Sequence, residues 1–262
     1  MKIIIPTDFS ENAYKAVSYV YENFKYDNLK ISLIHSIKQP ASGSGIMLRL
    51  DDLMMEDAKR DMKTLLAKIK KDYDRTPEVI LRYGYLKEWV EQVTKVTAPD
   101  LIVMGTKGEN NITSKLMGSV TESIIRTSKV PVLAIPSSTV LKPIGTVTVS
   151  TAKDELPKAE FLENLLSNMN IDFGRFEVLR VLTDYNTVAP RSITLGSREV
   201  PVETVRNKSV VDGINDYISK DKTDMLCVYH SHNSMLDYLF NRSVTKTICA
   251  HVELPLLVMR GS

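Results

Sequence analysis

Three spaced glycines carry the densest chemical signal in this chain: Gly105-Thr106-Lys107-Gly108, nine further residues, then Gly118-Ser119. They follow the apolar run Leu101–Met104, which reads as a buried strand, and precede the apolar-periodic stretch Val120–Arg126, which reads as a helix. Glycines between a strand and a helix let backbone N–H groups approach an anion closely. A helix N-terminus adds donors without intrahelical acceptors and a favourable dipole, so phosphate is the natural ligand for such a loop. A plain glycine turn with a helix cap is the alternative these residues leave open.

The other candidates sit where strands should end. Ile3–Ile5 runs into Pro6-Thr7-Asp8. Asp8 is a short acid able to accept from a sugar hydroxyl or help hold a metal; as a helix cap it would compete with Ser10. The run Ile31–His35 leads to Ser36, whose backbone could frame a flat base, while His35 reads as a structural histidine. Gly84 reads as a turn residue that also keeps the crevice open. Beside the glycine segment the only acids are Glu109 and Glu122. Asp8, Ser119 and Lys107 are too thin a set for a base, nucleophile or metal cluster, so no catalytic residue is assigned. His230 and His232 without a third ligand read as a polar loop rather than a metal site. The sequence holds no P-loop lysine motif, no G-x-G-x-x-G after the first strand, no G-x-S-x-G and no H-E-x-x-H.

The positioning elements alternate. Strands are expected at 3–5, 31–35, 78–81, 101–104 and 132–135, with helices at 10–24, 50–73, 86–97 and 118–127 between them. In the long helix, Leu50, Leu53, Met54, Ala58, Met62, Leu65, Leu66 and Ile69 fall on one face and are expected to be core. Strand–helix alternation of this kind indicates a parallel sheet wrapped by helices. After a linker at 136–145 the pattern restarts, with strands at 146–149, 175–182, 200–205, 225–229 and 256–259 and helices at 156–168, 209–219 and 242–251. Residues 183–199 form a loop where the first half has its long helix. A shift of 124 places Asp100 on Asp224, and seven of 37 positions over 100–136 and 224–260 are then identical, Ser119-Val120-Thr121 and Pro131 among them. Divergent duplication follows. The expected fold is α/β: two doubly wound, open parallel-sheet, Rossmann-like domains over 1–138 and 144–262.

Bulk properties exclude several classes. A net charge of +2 with dispersed Lys and Arg offers no nucleic-acid footprint. No apolar stretch approaches a membrane span, and Met1–Ile5 is too short for a secretory h-region. The two cysteines, Cys227 and Cys249, lie in apolar runs. Buried, inert thiols and a cytoplasmic location are the expectation.

The strand followed by Pro6-Thr7-Asp8, with Gly105-x2-Gly108-x9-Gly118-Ser119, resembles the nucleotide-binding branch of the universal stress protein family. The tandem arrangement resembles its two-domain members. The resemblance is strong over 1–136 and weak over 146–260. It implies the adenine-nucleotide-hydrolase-like fold, an intramolecular pseudo-dimer packed through the strands at 132–135 and 256–259, and an ATP site in the first half, with Mg2+ or Mn2+ as companion ion. Pro6, Thr7, Asp8, Ser36 and Met104 would lie near the nucleoside, and Gly105, Gly108, Gly118, Ser119 and Val120 near the phosphates. The second half departs from the pattern: Tyr229, His232 and Arg242 replace the three glycines, and Ala152 replaces Asp8. One nucleotide per chain is therefore expected. The leading reading is a regulatory stress-response protein that binds ATP and a protein partner, with a homodimer as a further assembly. A slow metal-dependent ATP hydrolase or adenylating enzyme, and a nucleotide-free interaction module, are the alternatives.

Overall fold

The structure, a computed structural model, describes residues 1–24, 28–38, 47–106, 117–151, 173–184, 187–188, 190–195, 197–220, 222–230 and 254–260. The first half contains β1 (Lys2–Pro6), α1 (Glu11–Asn23), β2 (Lys30–Ile37), α2 (Met47–Tyr73), β3 (Glu78–Tyr83), α3 (Leu86–Thr97), β4 (Leu101–Gly105), α4 (Ser119–Thr127) and β5 (Val132–Ile135). The second contains β6 (Ile144–Thr151), β7 (Phe173–Leu182), β8 (Ser192–Leu195), β9 (Arg198–Arg206), α5 (Val210–Ile218), β10 (Met225–His230) and β11 (Leu256–Arg260). The central strands, such as β1, β4 and β5, are apolar and buried, as strands covered on both faces must be, while the outer β3 and β9 carry charged, exposed residues.

These strands form one sheet in the order β3-β2-β1-β4-β5-β11-β10-β6-β7-β9-β8. Neighbours are parallel within each half, apart from the antiparallel β8–β9 hairpin. The halves meet where β5 pairs antiparallel with β11, Val132 opposite Val258 and Ala134 opposite Leu256. The expected pairing of these two edges is borne out, and neither apolar edge is left open to other chains. Because that pair is antiparallel, the carboxyl ends of the first-half strands share one margin of the sheet with the amino ends of the second-half strands.

Each face has its own apolar layer, and both layers cross the seam. Ile3, Ile5, Leu33 and Val103 pack with α1 and α2 in a layer that continues through Val147, Val178, Cys227 and Leu257. Ile4, Ile34, Ile102 and Met104 pack with α3 and α4 in a layer that continues through Leu179, Leu226 and Val228 with α5. Burial pushes the Cys227 thiol above its ordinary range, consistent with an inert side chain. Cys249 lies outside the described residues.

Register confirms the correspondence read from the 124-residue shift. Ile102 pairs with Val132 and Leu226 with Leu256; Asp100 and Asp224 then do the same work. Asp100 accepts the Lys2 N–H at 2.7 Å, and Asp224 accepts those of Gly145 and Thr146 at 3.0 and 2.8 Å. Pro131 and Pro255 each offer a carbonyl at 2.9 Å, to Ile102 and Leu226.

Two expectations need correction. Residues 183–199 are not a plain loop: β8 and the start of β9 form a hairpin there, extending the sheet edge. In α2, Ala58, Met62, Leu65 and Ile69 are buried as expected, but Leu53 is 61% exposed. At 27 residues the helix is about 40 Å long and overshoots the 8-residue β2, about 26 Å, on which it lies. The helices expected at 156–168 and 242–251 lie outside the described residues.

Candidate functional site

In the order β3-β2-β1-β4-β5, chain direction around the sheet reverses between β1 and β4. An open α/β sheet forms its ligand crevice at such a point, outside the carboxyl ends. The loops that leave β1 and β4 are therefore the ones to inspect.

After β1, Thr7 is buried and its N–H donates to the Ile34 carbonyl at 2.8 Å. Phe9 takes φ 65°, a left-handed conformation that turns the chain sharply into α1. Its N–H is held by the Thr7 hydroxyl at 3.1 Å. Ser10, not Asp8, caps α1, accepting the Ala13 N–H at 3.2 Å. Asp8 Oδ1 instead receives the Ser10 N–H at 3.1 Å and the Ser10 hydroxyl at 2.6 Å. A half-buried carboxylate is thus fixed at the crevice mouth. His35 is structural, as expected: its Nδ1 donates to the Thr7 carbonyl at 2.8 Å and its ring lies 4.3 Å from that of Phe9.

Ser36, near the end of β2, donates its hydroxyl to the Gly84 carbonyl. Gly84 has φ 120°, which a side chain rarely adopts, and an added Cβ would lie 3.1 Å from Trp89 Nε1. Trp89 in turn donates to the Tyr83 carbonyl at 2.6 Å. This wall of the crevice is rigid and narrow. Met104 points into the core, leaving only its backbone for a ligand.

The glycines differ in what demands them. A Cβ on Gly105 would meet the Asn12 side chain at 2.5 Å and its carbonyl at 3.0 Å. Gly105 is glycine because α1 crosses it, a reason nothing in the sequence signals. At Gly118 the conformation is ordinary, φ −63° and ψ 144°, but a Cβ would stand 3.2 Å from the Thr106 carbonyl, to which the Gly118 N–H donates at 2.6 Å. Thr121 ties the helix start down by donating to the Gly105 carbonyl at 2.9 Å. Ser119 and Val120 are exposed, and their first-turn N–H groups have no acceptor within α4. Glu122 sits in that first turn, where an acid suits the dipole. Lys107, Gly108 and Glu109 lie outside the described residues. Pro6, Thr7, Asp8, Ser36, Met104, Gly105, Gly118, Ser119 and Val120 are brought to one margin of the sheet, at the ends of β1, β2 and β4. Among the described residues no group of three His, Cys, Asp or Glu is placed to hold a metal.

Residues 1–136 match the model of the universal stress protein family. The chain belongs to that family. A universal stress protein of Methanocaldococcus jannaschii is 27% identical over 154 residues, covering 51% of this chain and 93% of the relative. Universal stress protein G of Shigella flexneri is 26% identical over 140 residues, with 51% and 96% covered. Beyond the first half, the crystal structure of a universal stress protein from Archaeoglobus fulgidus shares the fold. It covers 99% of this chain and 96% of its own, with a TM-score of 0.69 at 18% identity.

The second-half strands correspond in register to those that end at this crevice in the universal stress protein's first half, while the residues at their ends change. Ile3 pairs with Leu101 and Val147 with Met225, so Thr7 corresponds to Thr151, and Asp8 to Ala152, which lies outside the described residues. The pairings of β2 and β7 place Ser36 opposite Val181 and His35 opposite Arg180. Gly84 donates its N–H to the Ile37 carbonyl at 3.0 Å and Asn207 to the Leu182 carbonyl at 3.2 Å, the ends of β2 and β7. The caps of α3 and α5, Tyr85 and Ser209, match Trp89 to Gly213, where a Cβ would meet Val181 Cγ1 at 2.4 Å. Gly105 corresponds to Tyr229. His232 and Arg242 lie outside the described residues.

Proposed function

We propose that the first half of this universal stress protein binds an adenine nucleotide, ATP, in the crevice at the ends of β1, β2 and β4, and that the chain acts as a nucleotide-responsive regulatory protein. One observation carries the reading: Asp8 and the α4 N-terminus flank the reversal point between β1 and β4, where an anion and its sugar would sit. The donor set fits a triphosphate. Ser119 and Val120 offer exposed first-turn amides, Gly118 leaves no side chain beside the Thr106 carbonyl, and Asp8 supplies a fixed acceptor for a ribose hydroxyl. Ser36, Gly84 and Trp89 form the wall suited to a flat base. Mg2+ or Mn2+ would be brought by the phosphates.

We take 1–138 and 144–262 as two domains that arose by tandem duplication, the second serving as scaffold and offering a surface to a protein partner. The turn between β5 and β6 and the shared roles of Asp100 and Asp224 support that division. A cytoplasmic location accords with the absence of any helix, among the described residues, long and apolar enough to cross a membrane. Identifying any nucleotide co-purified with the chain, followed by calorimetric titration with ATP, tests the assignment. Failure of both would remove it.

A further inference from the structure

The segment joining the halves begins at the rim of the candidate site. The carbonyl of Ile135, the last residue of β5, accepts the Thr106 N–H at 3.0 Å, and the Thr106 carbonyl accepts that of Gly118. Just beyond, the Lys15 ammonium on α1 donates to the Ser137 carbonyl and, at 3.0 Å, to that of Thr139. Thr139 is buried, and its N–H turns back to the Pro136 carbonyl at 3.1 Å. At the far end Lys142 pairs with Asp224, whose other oxygen holds the amides of Gly145 and Thr146. Residues 136–143 are a strap tied to the first half by Lys15 and to the second by Asp224.

Helix α1 links the crevice mouth to the first-half end of the strap. Its first turn carries Ser10, bound to Asp8, and Asn12, packed on Gly105. Lys15 follows one turn later. Tyr19, one turn beyond that, is 2% exposed in the apolar layer that contains Cys227, and its hydroxyl has no hydrogen-bond partner. Helix α1 packs over β4 and β5, and β5 is the strand that forms the seam with β11. One rigid helix therefore spans from the crevice mouth to the seam, holding the strap midway.

We propose that Lys15 and the 136–143 strap couple occupancy of the first-half crevice to the seam with the second half, a regulation that rests on the nucleotide reading above. A phosphate held at Gly105, Thr106 and the α4 N-terminus fixes the first-half side of the strap, both its start at Ile135 and its Lys15 tie. Thr106 fixes Ile135, and Gly105 fixes α1 through Asn12. The strap is then favoured in its Lys15-bound position, which the half-buried Lys15 side chain otherwise holds through two hydrogen bonds alone. By linkage, the second half's grip on the strap through Asp224 alters nucleotide affinity by the same factor.

The test uses the full chain with ATP as the probe, reading affinity by calorimetry and strap order by amide exchange at Thr139, Gly145 and Thr146. ATP should slow exchange at these amides by about fivefold or more, the low end of ordinary couplings. Lys15→Met should still bind ATP, about fivefold more weakly, with the strap response gone; Lys15→Arg, which keeps charged donors, should restore both. ATP binding to the wild type without slower strap exchange overturns the coupling alone, as does an undiminished response in Lys15→Met. No ATP binding overturns the proposed function and the coupling with it.

Discussion

The two crevices of this molecule use one backbone plan and two chemistries. In the first half the strand ends carry small residues and short polar ones: Thr7, Asp8, Ser36, Gly84, Gly105 and Gly118. In the second the corresponding described positions carry Thr151, Val181, Asn207 and Tyr229, while Gly213 replaces Trp89 because Val181 needs its space. The carboxylate and proline far from the crevice, Asp100 and Pro131, have counterparts with the same hydrogen bonds. The positions that agree hold the sheet; those that differ lie at the strand ends, where ligands approach an open α/β sheet.

Moving second-half residues into the first half breaks the comparison most forcefully. Gly105→Tyr should destabilise the chain itself, because any Cβ there meets Asn12 at 2.5 Å. Overpacking of this kind costs about 1–3 kcal/mol, or roughly 2–12 °C in melting temperature for a chain of this size. An unchanged thermal melt would show that α1 does not press on Gly105. Gly118→Arg should act on the ligand instead. Its backbone conformation suits any residue, and the 3.2 Å approach of a Cβ to the Thr106 carbonyl asks for a small shift, so the melt should move less than in Gly105→Tyr while ATP affinity falls by about 100-fold or more, the loss of some 3 kcal/mol. Undiminished affinity by calorimetry would remove the α4 N-terminus from the site.

Stoichiometry sharpens the contrast between halves: titration should give one ATP per chain, and two would mean that the second crevice binds despite its altered residues. Asp8→Ala is a smaller change. Losing one hydrogen bond to a sugar costs about 0.5–1.5 kcal/mol, roughly 2- to 13-fold in affinity, and an affinity unchanged within error would place the ribose elsewhere.

The smallest effect concerns the shared carboxylate. Partial burial opposes the charge on Asp224, but Lys142 and the Thr146 amide outweigh it and hold its carboxyl below the usual range. A carboxyl whose folded value is depressed stabilises the fold fully above its unfolded value, about pH 4, and loses that contribution as pH falls through the folded value. Urea unfolding from about pH 5 downward should therefore lose less stability in Asp224→Asn than in the wild type. Parallel pH profiles would show that Asp224 contributes no such linkage.

Alternation of apolar runs and amphipathic stretches made the α/β class and both halves readable from the residues alone, because strand and helix periodicity are local properties; that the last strands of the halves pair was implied by the family resemblance. The 124-residue shift located corresponding residues that the sheet register later matched. The glycine spacing located the crevice margin, since close backbone approach and a helix start leave a local mark. Ser10 as cap over Asp8 was a choice between two local alternatives that the turn at Phe9 decided. Other features depend on which distant segments meet. Asn12 against Gly105, Lys15 on the Ser137 and Thr139 carbonyls, and Val181 in the space left by Gly213 leave no trace in nearby sequence. Leu53 was misread because periodicity reports which face a residue occupies, not whether the helix still has a sheet beneath it. The sequence determined the elements, their order and the chemistry available at the strand ends. Tertiary structure alone decided which glycine serves a helix crossing, and how the joining segment became a tied strap, because both follow from packing between residues far apart in the chain.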